Sequence, residues 1–305
     1  MIMDILYDKA AMVFGGQGSQ FTGMGKLIYD SFSEAKSIFL LASEVTGYDV
    51  AAICFNAPQY ELNKTIYSQV CTLVVELAIY EVFKNKQITL HAVAGFSLGE
   101  YAALVIAGVL DIETAFKLVN NRAQVMENDI ADSAGKMVAI INSDVSIIEK
   151  ICNKFGCEKV AVTSYNAFNQ VVVSVAMEIY DEFISCIKLE KGRVIPLNVN
   201  RPFHHPMMKS AADKFKHNLD NVAFQDPVLP LYMNVNGEIF RKNDSLSENL
   251  YEQIIKPVQW IKTIQNMRTN NVNIFYEISP KPILSAFIKN IIGEKIKVIN
   301  VQDIL

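Results

Sequence analysis

The sequence predicts an α/β fold in which a small β-α-β-β-α-β unit is inserted into a larger domain. Three observations carry this. Short β-branched runs alternate with longer amphipathic stretches along the chain. The 305 residues, 51% apolar and 20% charged, suffice for one large domain with a smaller companion. Residues 136–199 run strand, helix, strand, strand, helix, strand, which is the ferredoxin-like order.

Taken in order, Ala92, Val93 and Ala94 make a short buried strand. Gly95-Phe96-Ser97-Leu98-Gly99 follows, then a helix over 98–107 that Gly108 stops. Residues 137–142 read as a strand, and 144–155 as a helix capped by Asp144 or Ser143. Strands at 160–164 and 171–175, a helix at 178–189 and a strand at 193–199 complete the small unit. Beyond it come a helix near 207–219, a strand at 231–235 and helices near 246–255 and 260–270. A strand at 274–278, a helix near 282–292 and a strand at 297–301 end the chain. No repeat or low-complexity tract interrupts the pattern.

Composition narrows the function. A net charge of −4 gives no support for binding nucleic acid or an anionic membrane. The longest uncharged apolar run, near 101–110, falls short of the ~18 residues a spanning helix needs. Asp4, Asp8 and Lys9 precede the first apolar stretch, which does not resemble a signal peptide. The cysteines at 54, 71, 152, 157 and 186 are scattered, with no Cys-x-x-Cys pair, which fits a reduced, cytoplasmic setting. With four histidines and no His/Cys cluster at ligand spacing, no metal site is expected.

Gly95 to Gly99 spells G-x-S-x-G between a strand and a helix, the context of a nucleophile elbow. The serine must sit on a sharp turn so that its hydroxyl projects clear of the backbone. Side chains two residues to either side would collide, so both positions are glycine. The helix after Ser97 points free N–H groups and its positive end at the serine oxygen, and the Leu98 N–H is placed to hold an oxyanion.

A serine nucleophile needs a base. His91 starts the same strand and belongs at the far end of the sheet. His217 lies on a polar helix face beside Lys214 and Lys216. His204 and His205 sit in the proline-bracketed Arg201-Pro202-Phe203-His204-His205-Pro206, a good place to fix an imidazole. The residues alone do not choose between these two.

Six segments, in order, resemble the malonyl-coenzyme A:acyl carrier protein transacylase family of fatty acid and polyketide synthesis. Phe14-Gly15-Gly16-Gln17-Gly18-Ser19-Gln20 with Gly23-Met24-Gly25 is similar to F-P-G-Q-G-S-Q…G-M-G. Phe96 to Tyr101 resembles H-S-L-G-E-Y, and Asn120 to Met126 resembles the family helix with an arginine and a methionine four residues on. Asn166 to Ser174 resembles N-S-P-x-Q-V-V-I-S. Val199 to Met208 resembles V-S-x-x-F-H-S-P-L-M, and Gln253 to Trp260 resembles Q-L-x-x-P-V-x-W.

The resemblance implies a large α/β-hydrolase-like domain at 1–133 and 202–305, with a ferredoxin-like insert at 134–201. It implies Ser97 as the acylated nucleophile, His204 as the base and a backbone carbonyl at Gln253 holding the ring, with no catalytic acid. Amides of Gln17 and Leu98 would form the oxyanion hole. Arg122 would clamp the malonyl carboxylate, while Met126 and Asn166 line the pocket. Phe203 before the histidine goes with malonyl rather than methylmalonyl, because its ring leaves little space for an α-methyl.

Acyl-coenzyme A and an acyl carrier protein are the implied partners of a monomer that needs no cofactor beyond its thioester substrate. Two rival readings are a carrier-protein thioester hydrolase on the same fold, against which Arg122 argues, and a silent synthase subunit, against which the intact Ser97 and His204 argue. Two residues depart from the family pattern. Gly15 replaces its proline, which is expected to loosen the loop carrying Gln17. Phe96 replaces its histidine at the acyl pocket, which is expected to alter acyl selectivity.

Overall fold

The central strand is built from a run that is apolar on both faces, Lys9–Phe14, buried from Ala10 onward. Such a run suits the middle of a parallel sheet covered on both sides. A computed structural model describes residues 8–129, 135–199 and 201–305, and among them nine strands form two sheets. In chain order these are β1 (Lys9–Phe14), β2 (Ala92–Gly95), β3 (Gly135–Ile141), β4 (Val160–Ala167), β5 (Gln170–Ala176), β6 (Arg193–Pro196), β7 (Leu231–Tyr232), β8 (Val272–Ile278) and β9 (Lys297–Asn300).

The first sheet is parallel throughout, in the order β7-β2-β1-β8-β9. One face packs on the helix Thr65–Phe83, which is buried nearly all round. By length and composition Thr65–Lys86 could cross a membrane, yet 78% of its apolar window is buried within the fold, as for a core helix. The other face packs on the helices Trp260–Thr269 and Leu284–Ile292.

The second sheet is antiparallel, in the order β4-β5-β3-β6. Period-two alternation divides its residues. Val138, Ile140, Val171 and Val173 face the helices Val145–Phe155 and Tyr180–Leu189, where Ile148, Phe183 and Ile187 close a separate core. Met137, Ala139 and Val172 point the other way and join the core of the large unit. That opposite face becomes one wall of the site described below.

Four predicted boundaries need correction. The strand predicted at 193–199 ends at Pro196, since proline has no N–H for the ladder, and Leu197 and Val199 turn into the interior cavity instead. The strand predicted at 231–235 stops at Tyr232, because the Met233 N–H bonds to the Glu238 carbonyl and Gly237 N–H to the Met233 carbonyl, turning the chain. The helices predicted at 178–189 and 207–219 begin as 3-10 turns, Met177–Ile179 and Pro206–Met208. The junction expected at 133/134 lies outside the described residues.

Candidate active site

The site is assembled around the turn after β2. Ser97 has φ 52, a left-handed conformation that costs a non-glycine residue about 1–2 kcal/mol. The flanking glycines are required by close packing. A Cβ at Gly95 would lie 1.9 Å from the Gly99 carbonyl carbon, and one at Gly99 would lie 2.0 Å from the Gly15 carbonyl oxygen. The elbow is therefore folded tightly on itself and pressed against the end of β1. The helix Gly99–Ile106 follows, and Gly108 at φ 74 lies just past its end.

His204 meets this turn from the loop between Pro202 and Pro206. The Ser97 Oγ lies 2.7 Å from His204 Nε2, and His204 Nδ1 lies 2.6 Å from the Gln253 carbonyl oxygen. A carbonyl can only accept, so Nδ1 carries the proton and Nε2 presents its lone pair to the serine hydroxyl. His204 is also held at φ 59, a second strained residue facing the first. Burial, with help from the nearby Arg122 charge, lowers its pKa to about 4, so the ring is neutral at pH 7.

The other histidines are engaged elsewhere. His205 Nδ1 accepts from the Met207 N–H, and its Nε2–H donates to the Cys157 carbonyl. His91 accepts from the Ala10 N–H at the opposite end of the parallel strands, and His217 is exposed.

Opposite the serine runs the loop from Gly15 to Gly18. A Cβ at Gly16 would lie 2.5 Å from the Phe96 carbonyl oxygen, so glycine lets this loop lie against the elbow. The N–H groups of Gln17 and Leu98 donate to no acceptor among the described residues. Gly15 is anchored where the family pattern has proline. Its N–H donates to the Ile278 carbonyl at 2.9 Å, a bond that proline could not make, and Ser279 fills the space beside it.

Arg122 is not a solvated helix arginine: it is 1% exposed. Its Nη1 donates to Gln69 Oε1 at 2.6 Å and its Nη2 to Gln253 Oε1 at 3.0 Å, and the guanidinium lies 5.6 Å from the Tyr101 ring centroid. Its Nε is buried with no hydrogen-bond partner among the described residues. A cation is thus held by neutral amides in a desolvated place, and the buried Glu100, its pKa raised to about 7 by burial, lies within its field.

Gln253 joins these parts. Its carbonyl holds His204, its Oε1 holds Arg122, and its Nε2 donates to the Ser97 carbonyl at 2.9 Å and to Glu100. Asn234 accepts from the Ser97 N–H at 2.8 Å and donates to the Gly95 carbonyl at 2.8 Å. Gln69, Glu100 and Asn234 were not singled out in the sequence. Glu100 directly follows the elbow and could have been, while Gln69 and Asn234 carry no local signal.

A cavity of about 270 Å³ opens between the two sheets at Ser97. Of the predicted residues, Gln17, Phe96, Ser97, Asn166, Phe203 and His204 line it. Its other wall comes from Met137, Ala139 and Val172 of the small sheet. Phe96 stacks edge-on against Trp260, with centroids 5.5 Å apart. Arg122 and Met126 are not among the lining residues. Met126 sits one turn after Arg122, fully packed beneath Gln69, whose Nε2 points to its sulfur at 3.6 Å. Four clefts, of about 440 to 670 Å³, are larger; one of about 540 Å³ reaches His204 and Cys157, but none of the four is lined by Ser97, so the serine–histidine pair rather than size selects the site.

Residues 11–303 match the family described as the acyl transferase domain. The malonyl CoA-acyl carrier protein transacylase of Bacillus subtilis (strain 168) is 34% identical over 299 residues, 97% of this chain and 94% of the relative. The malonyl CoA-acyl carrier protein transacylase of Clostridium perfringens superposes with a TM-score of 0.90 at 34% identity, over 95% of this chain and 92% of that one. A malonyl-transacylase solved in complex with its type II PKS acyl-carrier protein superposes with a TM-score of 0.91 at 33% identity, over 95% of both chains.

Proposed function

The chain belongs to the acyl transferase domain family, and from that premise we propose that it moves a malonyl group from coenzyme A to an acyl carrier protein through an ester on Ser97. One observation carries the covalent route: the Ser97 hydroxyl lies 2.7 Å from an imidazole nitrogen whose lone pair is fixed toward it by the Gln253 carbonyl.

Ser97 Oγ attacks the thioester carbonyl and gives its proton to His204 Nε2. The oxyanion falls to the free amides of Gln17 and Leu98. Collapse of the intermediate breaks the carbon–sulfur bond, and coenzyme A leaves as a thiol carrying that proton. The carrier's phosphopantetheine thiol then returns a proton to Nε2, attacks the ester, and Ser97 leaves as its hydroxyl. The cycle balances with two thiols and no cofactor.

Arg122 takes the malonyl carboxylate. Its Nη groups are held by neutral amides and its Nε makes no hydrogen bond among the described residues, which supports a carboxylate as its ligand. Phe203 and Phe96 narrow the acyl space, and Asn166 borders it.

We read the large unit (1–133 and 202–305) as α/β-hydrolase-like and the small one (134–201) as ferredoxin-like. The elbow supports the first reading, and the strand order β4-β5-β3-β6 supports the second. A monomer that binds neither nucleic acid nor membrane, in the cytoplasm, completes the proposal. The net charge of −4 supports the absence of nucleic-acid and membrane binding, and the five unpaired cysteines support the cytoplasmic setting.

Intact-mass measurement after mixing with malonyl-, methylmalonyl- and acetyl-coenzyme A tests the reading. It predicts a malonyl adduct that is absent from Ser97→Ala. Loss of the malonyl group as free acid, with a holo carrier protein left unmodified, would favour a hydrolase.

A further inference from the structure

We infer that Asn234 is the positioning residue of the nucleophile, its carboxamide holding Ser97 in the left-handed conformation that aims Oγ at His204. This rests on the covalent route proposed above. The register of the parallel sheet makes the case. β2 pairs with the edge strand β7 at Val93↔Leu231 and Ala94↔Tyr232, and there β7 ends. The next ladder partners on β2 would be the Gly95 carbonyl and the Ser97 N–H, at the start of the strained turn. Asn234 supplies them from a side chain: Nδ2 donates to the Gly95 carbonyl at 2.8 Å and Oδ1 accepts from the Ser97 N–H at 2.8 Å. A carboxamide has the donor and acceptor of a peptide unit, so it extends the ladder by one rung past the end of its strand.

Asn234 is itself fixed. It is 3% exposed, its N–H donates to Glu100 Oε1 at 2.7 Å, and its carbonyl accepts from the Gln259 N–H at 2.8 Å. Tying up the Ser97 amide also leaves the next one, that of Leu98, as the free donor beside the nucleophile. The bond to the Gly95 carbonyl is buried and the one to the Ser97 N–H partly so, and both lie at the turn itself, so their loss acts on the turn.

Two variants separate the bonds. Asn234→Ala removes both; Asn234→Asp keeps the size and the acceptor but, when ionised, has no donor for the Gly95 carbonyl. Malonyl loading of Ser97 is followed by rapid-quench intact mass, labelling of Ser97 by a fluorophosphonate is followed in parallel, and thermal midpoints are recorded. Asn234→Ala should slow malonyl loading by up to about 100-fold in kcat, with KM changed by less than about twofold. Asn234→Asp should be slow at neutral pH and recover toward the parent rate as pH falls, because the protonated carboxyl regains a donor. A merely structural role would not produce that recovery. If Asn234→Ala does not fold, Asn234→Asp carries the test.

Parent-like loading by a folded Asn234→Asp at every pH would overturn the inference. If the parent protein takes no malonyl but still reacts with the fluorophosphonate, the malonyl reading fails. The fluorophosphonate rates of the two variants then decide the role of Asn234.

Discussion

In the proposed route His204 acts without a carboxylate behind it. A main-chain carbonyl fixes its tautomer, and the charge on Arg122 opposes protonation. Its pKa is lowered to about 4, mainly by burial and secondarily by Arg122. A lowered base pKa keeps the lone pair available as pH drops, so loading of Ser97 should hold steady through pH 6.5 and fall only toward pH 4. A pH profile of the loading rate checks this; a fall centred on 6.5 would contradict it. Replacing Arg122 with alanine removes the positive neighbour, so the acidic limb should move upward in pH. The same variant should lose malonyl loading while keeping acetyl loading, which the acyl-coenzyme A panel measures.

The nucleophile was legible in the sequence because all its constraints are local: two glycines, a strand before and a helix after. The choice of His204 over His205 was not legible from the residues alone. It turns on a bond to the carbonyl of Gln253, 49 residues away, and only family resemblance pointed to it. Gln69 and Asn234 were invisible for the same reason, since each matters through a partner more than 50 residues distant in sequence.

At the scale of elements, the elbow is a strand–turn–helix packed without room for one methyl group. Gly99→Ala would place a Cβ 2.0 Å from the Gly15 carbonyl oxygen, and its three nearest neighbours there are all backbone atoms of Phe14 and Gly15, with no flexible side chain to yield. We expect this variant to lose Ser97 loading by at least about 100-fold, with the glycine loop and its Gln17 amide driven off the elbow. An active Gly99→Ala with an unchanged thermal midpoint would show that the packing is looser than described. The alternating strands of the small unit and the amphipathic helices were readable because one face differs from the other. β1 and the helix Thr65–Phe83 were not singled out, since a segment buried all round has no face to read. The strand predicted at 193–199 failed at its proline, and the one at 231–235 at a turn built on Asn236-Gly237, with Gly237 at φ 69, a local turn signal that the strand reading overran.

At the scale of the molecule, the site exists only where the two sheets meet. Val258 bonds to both Thr163 and Tyr165 of β4, and the Phe168 N–H donates to Asn290, so the small unit is tied to the helices beneath the parallel sheet. Trp260, the only tryptophan, lies at this junction, 1% exposed and stacked on Phe96. Its emission should therefore report the docking of the two units. In a urea titration it should change together with far-UV circular dichroism; an earlier change in emission would mean that the units separate before they unfold. The central claim is that Ser97 carries the acyl group between two thiols. The most direct measurement loads the protein with malonyl-coenzyme A, removes free nucleotide, adds a holo acyl carrier protein and follows both masses with time. The account predicts that the malonyl mass, mapped to the Ser97 peptide, leaves the enzyme as the same mass appears on the carrier. A carrier that stays unmodified while the enzyme keeps or hydrolyses its adduct would contradict it.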